Sequence, residues 1–248
     1  MIYFIGAGPG AVDLITVRGQ ALLQKADLVV YAGSLVNPAL LDVCKPGCVA
    51  MDSARMTLEE VISAMAERGP EEVVVRLHTG DPSLYGAIRE QIDILRALDI
   101  AFEVVPGVSS FCAAAAALQA EYTLPEVSQT VVITRMAGRT SVPEKESIRS
   151  LAAHGATMVL FLSAGMLEEL RNELIAGGYP PETPAAIVYK ASWPDEKVLR
   201  GTLGALPELG LGISKTALVL VGHFLEGDYA RSKLYDPAFS HGCREAKA

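Results

Sequence analysis

The residues with most chemical promise fall in four short stretches, three of them rich in glycine, proline and small polar side chains. Gly6-Ala7-Gly8-Pro9-Gly10 follows an apolar run, and glycines at such a corner let a backbone approach a ligand closely. His78-Thr79-Gly80-Asp81-Pro82-Ser83-Leu84-Tyr85-Gly86 adds a carboxylate on a turn whose direction Pro82 fixes. Pro106-Gly107-Val108-Ser109-Ser110 leaves room for a ligand and opens a helix with its amides. Arg135-Met136-Ala137-Gly138-Arg139-Thr140 offers two guanidinium forks suited to carboxylates, or alternatively an ordinary solvated loop. His78 reads either as a proton acceptor or as a packed strand-end residue. No general base is identified, and the catalytic residue stays open.

Several chemistries are poorly supported. Gly6, Gly8 and Ala11 occupy the small-residue positions of a dinucleotide fingerprint, but the next strand ends Tyr31-Ala32-Gly33 without a ribose-binding acid. Pro9 also removes an amide from the loop that should hold a pyrophosphate. Neither a Walker phosphate loop nor a G-x-S-x-G elbow is present. The four histidines are scattered and Cys44-x-x-x-Cys48 lacks zinc-knuckle spacing, so no metal held by protein ligands is expected. Cys112, among Ala113 to Ala117, reads as a small buried hydrophobe.

The elements that must position these stretches follow from hydrophobic patterning. In 248 residues, half are hydrophobic, which suits one large domain or two compact ones with real cores. Ile2–Ile5, Leu28–Tyr31, 73–77 and Phe102–Val105 read as strands, with helices near 14–25, after Thr57, at 87–98 and at 109–118. Thr57-Leu58-Glu59-Glu60 is a capping box. This alternation predicts β-α-β units and a mainly parallel sheet. After about residue 120, strands near 130–134, 157–162, 185–188, 197–201 and 217–221 alternate with helices near 146–153 and 166–175. Charge on the 197–201 strand predicts antiparallel edges there. The expected organisation is therefore α/β, with residues 1–120 as one domain and 121–248 as a second, mixed-sheet domain.

A net charge of −8 argues against nonspecific nucleic-acid binding, while leaving room for a local basic patch. The apolar run 111–118 is too short to cross a bilayer, and the opening residues lack a secretory pattern. With cysteines that form no disulfide framework, a cytoplasmic setting is expected.

The three glycine corners, with Asp13-Leu14-Ile15-Thr16 and with Tyr85-Gly86, resemble the tetrapyrrole (corrin/porphyrin) methylase family over nearly the whole chain. Ala11-Val12 departs from the Asp-Pro pair frequent in relatives. Thr134-Arg135, Gly138-Arg139-Thr140 and Pro143-Glu144 are similar to the branch that methylates precorrin-4 at C11, including its cobalt-bearing counterpart. The resemblance implies two α/β domains across a trough, a homodimer, and S-adenosylmethionine as methyl donor. It implies donor contacts at Thr79, Gly80, Asp81, Leu84, Tyr85, Ser109, Ser110, Met136, Ser163, Ala191, Thr216 and Ala217. It implies a tetrapyrrole anchored by Arg135 and Arg139, with Pro9 shaping its site and Arg18 and Arg55 as weaker anchors. Methylation of another ring carbon or of a diphthamide precursor, a tetrapyrrole carrier, and a NAD-linked enzyme remain the alternatives.

Overall fold

The computed structural model describes residues 1–246, so the last two residues of the expected 121–248 domain lie outside the described residues. The chain divides into two compact units. Unit 1 comprises Met1–Ala114 together with Lys190–Glu196; unit 2 comprises Ala115–Tyr189 and the chain from Lys197 onward.

Unit 1 is built on a parallel sheet of β1 (Ile2–Gly6), β2 (Leu28–Tyr31), β3 (Val49–Asp52), β4 (Val74–His78) and β5 (Phe102–Val105), in the order β3-β2-β4-β1-β5. The central strands are buried on both faces, as a sheet covered twice requires, although one face of β4 carries Arg76 and His78 beside Val74. Along β4, Val75 and Leu77 join a core with Ile5, Leu23 and Val29, the side on which α1 (Val17–Leu23) packs. Val74 joins Phe4, Val30, Met65 and Leu95 on the other side, with α2 (Leu58–Ala66) and α3 (Ile88–Ala97). Thr57 and Glu60 make both bonds of the capping box that starts α2.

Two local expectations change. The helix expected over 14–25 is a 3₁₀ turn at Val12–Leu14 followed by α1, because Thr16 stops one and caps the other, accepting from the Gly19 amide at 3.2 Å. On α4 (Ser110–Leu118), Ala114 and Leu118 share the buried stripe, whereas Cys112 is exposed. Cys112 is therefore not the buried hydrophobe its alanine neighbours suggest: it lies two residues from Ala114, on a different helical face.

Unit 2 carries β6 (Val131–Arg135), β7 (Thr157–Phe161), β8 (Pro184–Tyr189), β9 (Lys197–Thr202) and β10 (Ala217–Val221), ordered β6-β7-β10-β8-β9. Only β6 and β7 pair in parallel; the other three pairings are antiparallel, with charged β9 at an edge. Helices α5 (Ile148–Ala152), α6 (Leu167–Ala176) and α7 (Leu206–Leu209) contribute to its core, in which Leu160, Leu170, Leu174, Ile187 and Val219 are fully buried. Among the described residues no helix is long and apolar enough to cross a membrane.

Candidate active site

Strand register gathers the three glycine corners. Gly6 pairs with His78 and Ile5 with Val105, so the loops after β1, β4 and β5 all leave the carboxyl edge of the parallel sheet. Open α/β sheets place their sites at that edge. Gly80 donates its amide to the Gly8 carbonyl at 2.8 Å and accepts from the Gly8 amide at 3.3 Å. A Cβ on Gly6 would lie 2.5 Å from both the Gly107 Cα and the Gly80 carbonyl oxygen, so this packing demands glycine. Asp81 completes the join: one carboxylate oxygen accepts from the Gly107 amide at 2.8 Å, the other from the Ser83 amide at 2.9 Å and the Ser83 hydroxyl. Partial burial pushes Asp81 up, but the bonds from Ser83 and Gly107 outweigh it and hold the carboxyl below its ordinary value. Thr79 and Tyr85 are exposed beside this joint, Asp81, Leu84 and Ser110 are half-buried, and Gly80 and Ser109 are buried.

The Gly6–Ala11 loop is also held from its other side. The Asn37 side-chain amide donates to the Gly10 carbonyl at 2.9 Å. The Ser192 hydroxyl accepts from the Ala11 amide at 2.9 Å, and the indole of Trp193 donates to the Pro9 carbonyl at 2.9 Å. Pro9 itself is buried. The Ala7 amide is spent on the His78 carbonyl at 2.7 Å. With the amides of Ala7, Gly8 and Ala11 engaged and none on Pro9, those positions leave no amide free to cradle a pyrophosphate, which gives the failed dinucleotide reading its physical cause.

His78 is 4% exposed, stacks on Phe4 with centroids 6.0 Å apart, and has no partner for Nε2. Burial, and then the neighbouring charge of Arg76, push its pKa down to about 3, so it is neutral at physiological pH. Arg76, on the same face, donates to Gln91 at 3.3 Å and to the Val30 carbonyl at 3.1 Å. These contacts describe a packed strand end.

Unit 2 has its own gathered edge. Arg135 pairs with Phe161, and Ala217 with Tyr189, so the ends of β6, β7 and β8 and the start of β10 lie together. Met136, Ser163, Thr216 and Ala217 flank these ends; Ala191 belongs to unit 1, where it is buried. Ser163 is fully buried, accepts from the Met136 amide at 2.9 Å and donates to the Phe161 carbonyl at 2.7 Å, tying the β6 and β7 ends together. Arg135 spends its guanidinium on its own loop, donating to the carbonyls of Met136, Thr140 and Ser141 at 3.1, 3.3 and 2.8 Å. Arg139 is exposed in that loop. Of the weaker anchors, Arg18 pairs with Glu103 at 3.3 Å, and Arg55 lines a 980 Å³ depression along α2 that no other candidate residue lines.

Sequence reasoning missed Asn37, Ser192 and Trp193. It also missed a backbone signature. Of nine described non-glycine residues with positive φ, six (Tyr85, Ala87, Leu162, Lys190, Ser192 and Thr216) fall at or beside the candidate residues. Such conformations cost free energy and cluster at ligand sites.

Residues 1–207 match the model of the Tetrapyrrole (Corrin/Porphyrin) Methylases, and the chain belongs to this family. At closer range, it is 52% identical to the cobalt-precorrin-4 C(11)-methyltransferase of Methanocaldococcus jannaschii, over 99% of this chain and 96% of that one. A solved cobalt precorrin-4 methyltransferase superposes with a TM-score of 0.88 at 48% identity, covering 91% of this chain and 96% of the other. The Thermus thermophilus uroporphyrin-III C-methyltransferase, solved with S-adenyl homocysteine, superposes with a TM-score of 0.76 at 26% identity, covering 91% and 93%.

Proposed function

We propose that this protein transfers a methyl group from S-adenosylmethionine to C11 of a precorrin-4-type macrocycle, giving a precorrin-5-type product and S-adenosylhomocysteine. The observation that carries the reading is the end-to-end similarity, at 52% identity, to a relative named for that carbon. The donor, when bound, supplies a methyl carbon made electrophilic by its sulfonium.

The residues present suit that donor. The backbones of Gly6, Gly80 and Gly107 pack directly on one another into a fixed joint, and the exposed Tyr85 and the half-buried Leu84 add apolar area beside it. The Thermus relative solved with S-adenyl homocysteine supports the same donor. In this reading Asp81 is a positioning residue: it fixes the Gly80 and Gly107 corners against each other, so that the donor's contacts are set before it arrives. Ser163 does the same for Met136. Arg139, exposed and not bound to its own loop's carbonyls, is the fork that takes a rim carboxylate, while Arg135 shapes the loop that carries it. Neutral, buried His78 fills the strand end and is not assigned a proton-transfer step. The protein's work is alignment of two carbons to within ~3–3.5 Å and exclusion of water. A cytoplasmic homodimer, with domains near 1–120 and 121–248, belongs to the same reading.

The test is an anaerobic reaction with precorrin-4, with and without cobalt in the ring. Product mass and NMR are expected to show one added methyl, on C11. A methyl on another carbon, or macrocycle binding without donor-dependent product, overturns the assignment; the two cobalt arms decide which ring is the substrate.

A further inference from the structure

The turn Lys190–Glu196 carries more restraint than a strand connection needs. Lys190 and Ser192 hold left-handed backbone, with φ of 48° and 67°, conformations that non-glycine residues occupy at a cost. Ser192 donates its amide to the Glu196 carboxylate at 2.6 Å, and Glu196 donates its own to the Trp193 carbonyl at 3.0 Å. The Lys190 ammonium pairs with Asp195 at 2.7 Å and lies 5.3 Å from the centre of the indole. This frame delivers the Ser192 hydroxyl to the Ala11 amide and the Trp193 N–H to the Pro9 carbonyl. The indole packs so closely over Gly10 that a Cβ there would lie 2.7 Å from its Cγ, and nearer still to Cδ1 and Nε1.

We infer that Trp193 is a positioning residue for the methyl acceptor, acting through the Pro9–Gly10 peptide, which it holds as a rigid wall at the carboxyl edge of the first sheet. The inference rests on the methyl-transfer reading. Glycines at 6, 8 and 10 leave the loop's own backbone permissive, yet alignment of two reacting carbons tolerates little play. The Gly80 and Gly107 corners are already fixed by backbone packing and by Asp81. Removing the indole therefore frees the Pro9 carbonyl and uncovers Gly10, while the Asn37 and Ser192 bonds and the donor-side joint stay in place.

Three measurements test this. Trp193 is the only tryptophan, so its emission reports the loop directly. It is expected to shift saturably when precorrin-4 is added anaerobically, and a flat titration overturns the inference. Trp193→Phe keeps the ring and loses the N–H; the acceptor KM should rise roughly tenfold, as for one hydrogen bond that leaves a carbonyl unpaired. Trp193→Ala should raise it further and spread methylation beyond one ring carbon. S-adenosylhomocysteine affinity should stay within about twofold in both, and a parallel loss of donor affinity counts against a role for the acceptor. Gly10→Ala evicts the indole and adds a backbone strain of its own at φ 159°, so its penalty should shrink, without vanishing, in a Trp193→Ala background; penalties that multiply in full mean that the two residues act independently, and the inference fails. Should the wild type yield no methylated product, the methyl-transfer reading falls, while emission and precorrin-4 binding to the variants still decide the role of Trp193.

Discussion

In unit 1 the glycine corners are joined main chain to main chain: Gly6, Gly8, Gly80 and Gly107 touch through backbone atoms, with Asp81 as the side-chain tie among these corners. In unit 2 the corresponding edge is joined by side chains, Ser163 bridging two strand ends and Arg135 gathering three carbonyls. The contrast follows from the residues at the two joints. Parallel strands present adjacent carboxyl ends, whose loops meet backbone to backbone if no Cβ intervenes. In the second sheet the tied ends are again those of a parallel pair, β6 and β7, but there a Ser163 hydroxyl bridges them and the Arg135 guanidinium holds the loop that follows. A backbone joint is intolerant at its glycines, whereas a side-chain joint fails by increments.

The largest effect is expected from Gly107→Ala, whose Cβ would lie 2.7 Å from the Gly6 Cα and closer to the Gly80 oxygen. Neither neighbour is flexible, so urea unfolding should show a loss of about 3 kcal/mol or more, together with loss of S-adenosylhomocysteine binding. Wild-type stability in this variant would break the distinction between the units.

Next comes His78, held neutral at a folded pKa of about 3 against an ordinary 6.5. As pH falls below 6.5 the unfolded chain takes up a proton that the folded chain refuses, so stability declines from there toward pH 3. The decline is about 2 kcal/mol at pH 5. His78→Phe should remove that share of the difference in unfolding free energy between pH 7 and pH 5. Parallel pH profiles for variant and wild type would show that the imidazole is not sequestered.

Asp81→Ala should cost about 1–2 kcal/mol and weaken donor binding by roughly tenfold, because the Gly107 amide loses its acceptor. An unchanged donor titration would mean that the glycines alone hold the joint. The smallest and most discriminating pair is Arg135→Ala and Arg139→Ala. The first should lose ~1 kcal/mol of stability with its loop bonds. The second should leave stability within ~0.5 kcal/mol and weaken macrocycle binding in a salt-dependent way. Reversed outcomes would exchange the two roles.

Much of this was legible in the residues. Phe102–Val105 and Ala217–Val221 are strands with the expected bounds, since short apolar runs between turn residues leave little choice. The capping box at Thr57 is a local signal and reads locally. β3 was not foreseen, because Val49–Asp52 is an edge strand with mostly exposed residues and no alternation to mark it. At the candidate site the glycine corners announced themselves. Arg135 did not reveal that its guanidinium turns back on its own loop, which depends on where three carbonyls of that irregular loop point. Nor did Trp193, 184 residues from the carbonyl it holds, or the left-handed conformations of Leu162 and Thr216, which leave no mark in residue type.

The membership of Lys190–Glu196 in the first unit bears on how the gene may be cut. A fragment ending at Ala114 would keep the five parallel strands yet lack the piece that covers Gly10, and a fragment beginning there would display an indole with nothing to cover. Because the polypeptide enters the first unit twice, neither half is a self-sufficient product. Separately expressed halves should be poorly soluble alone and recover when produced together, so tags and split reporters belong at the ends of the chain, not at its midpoint.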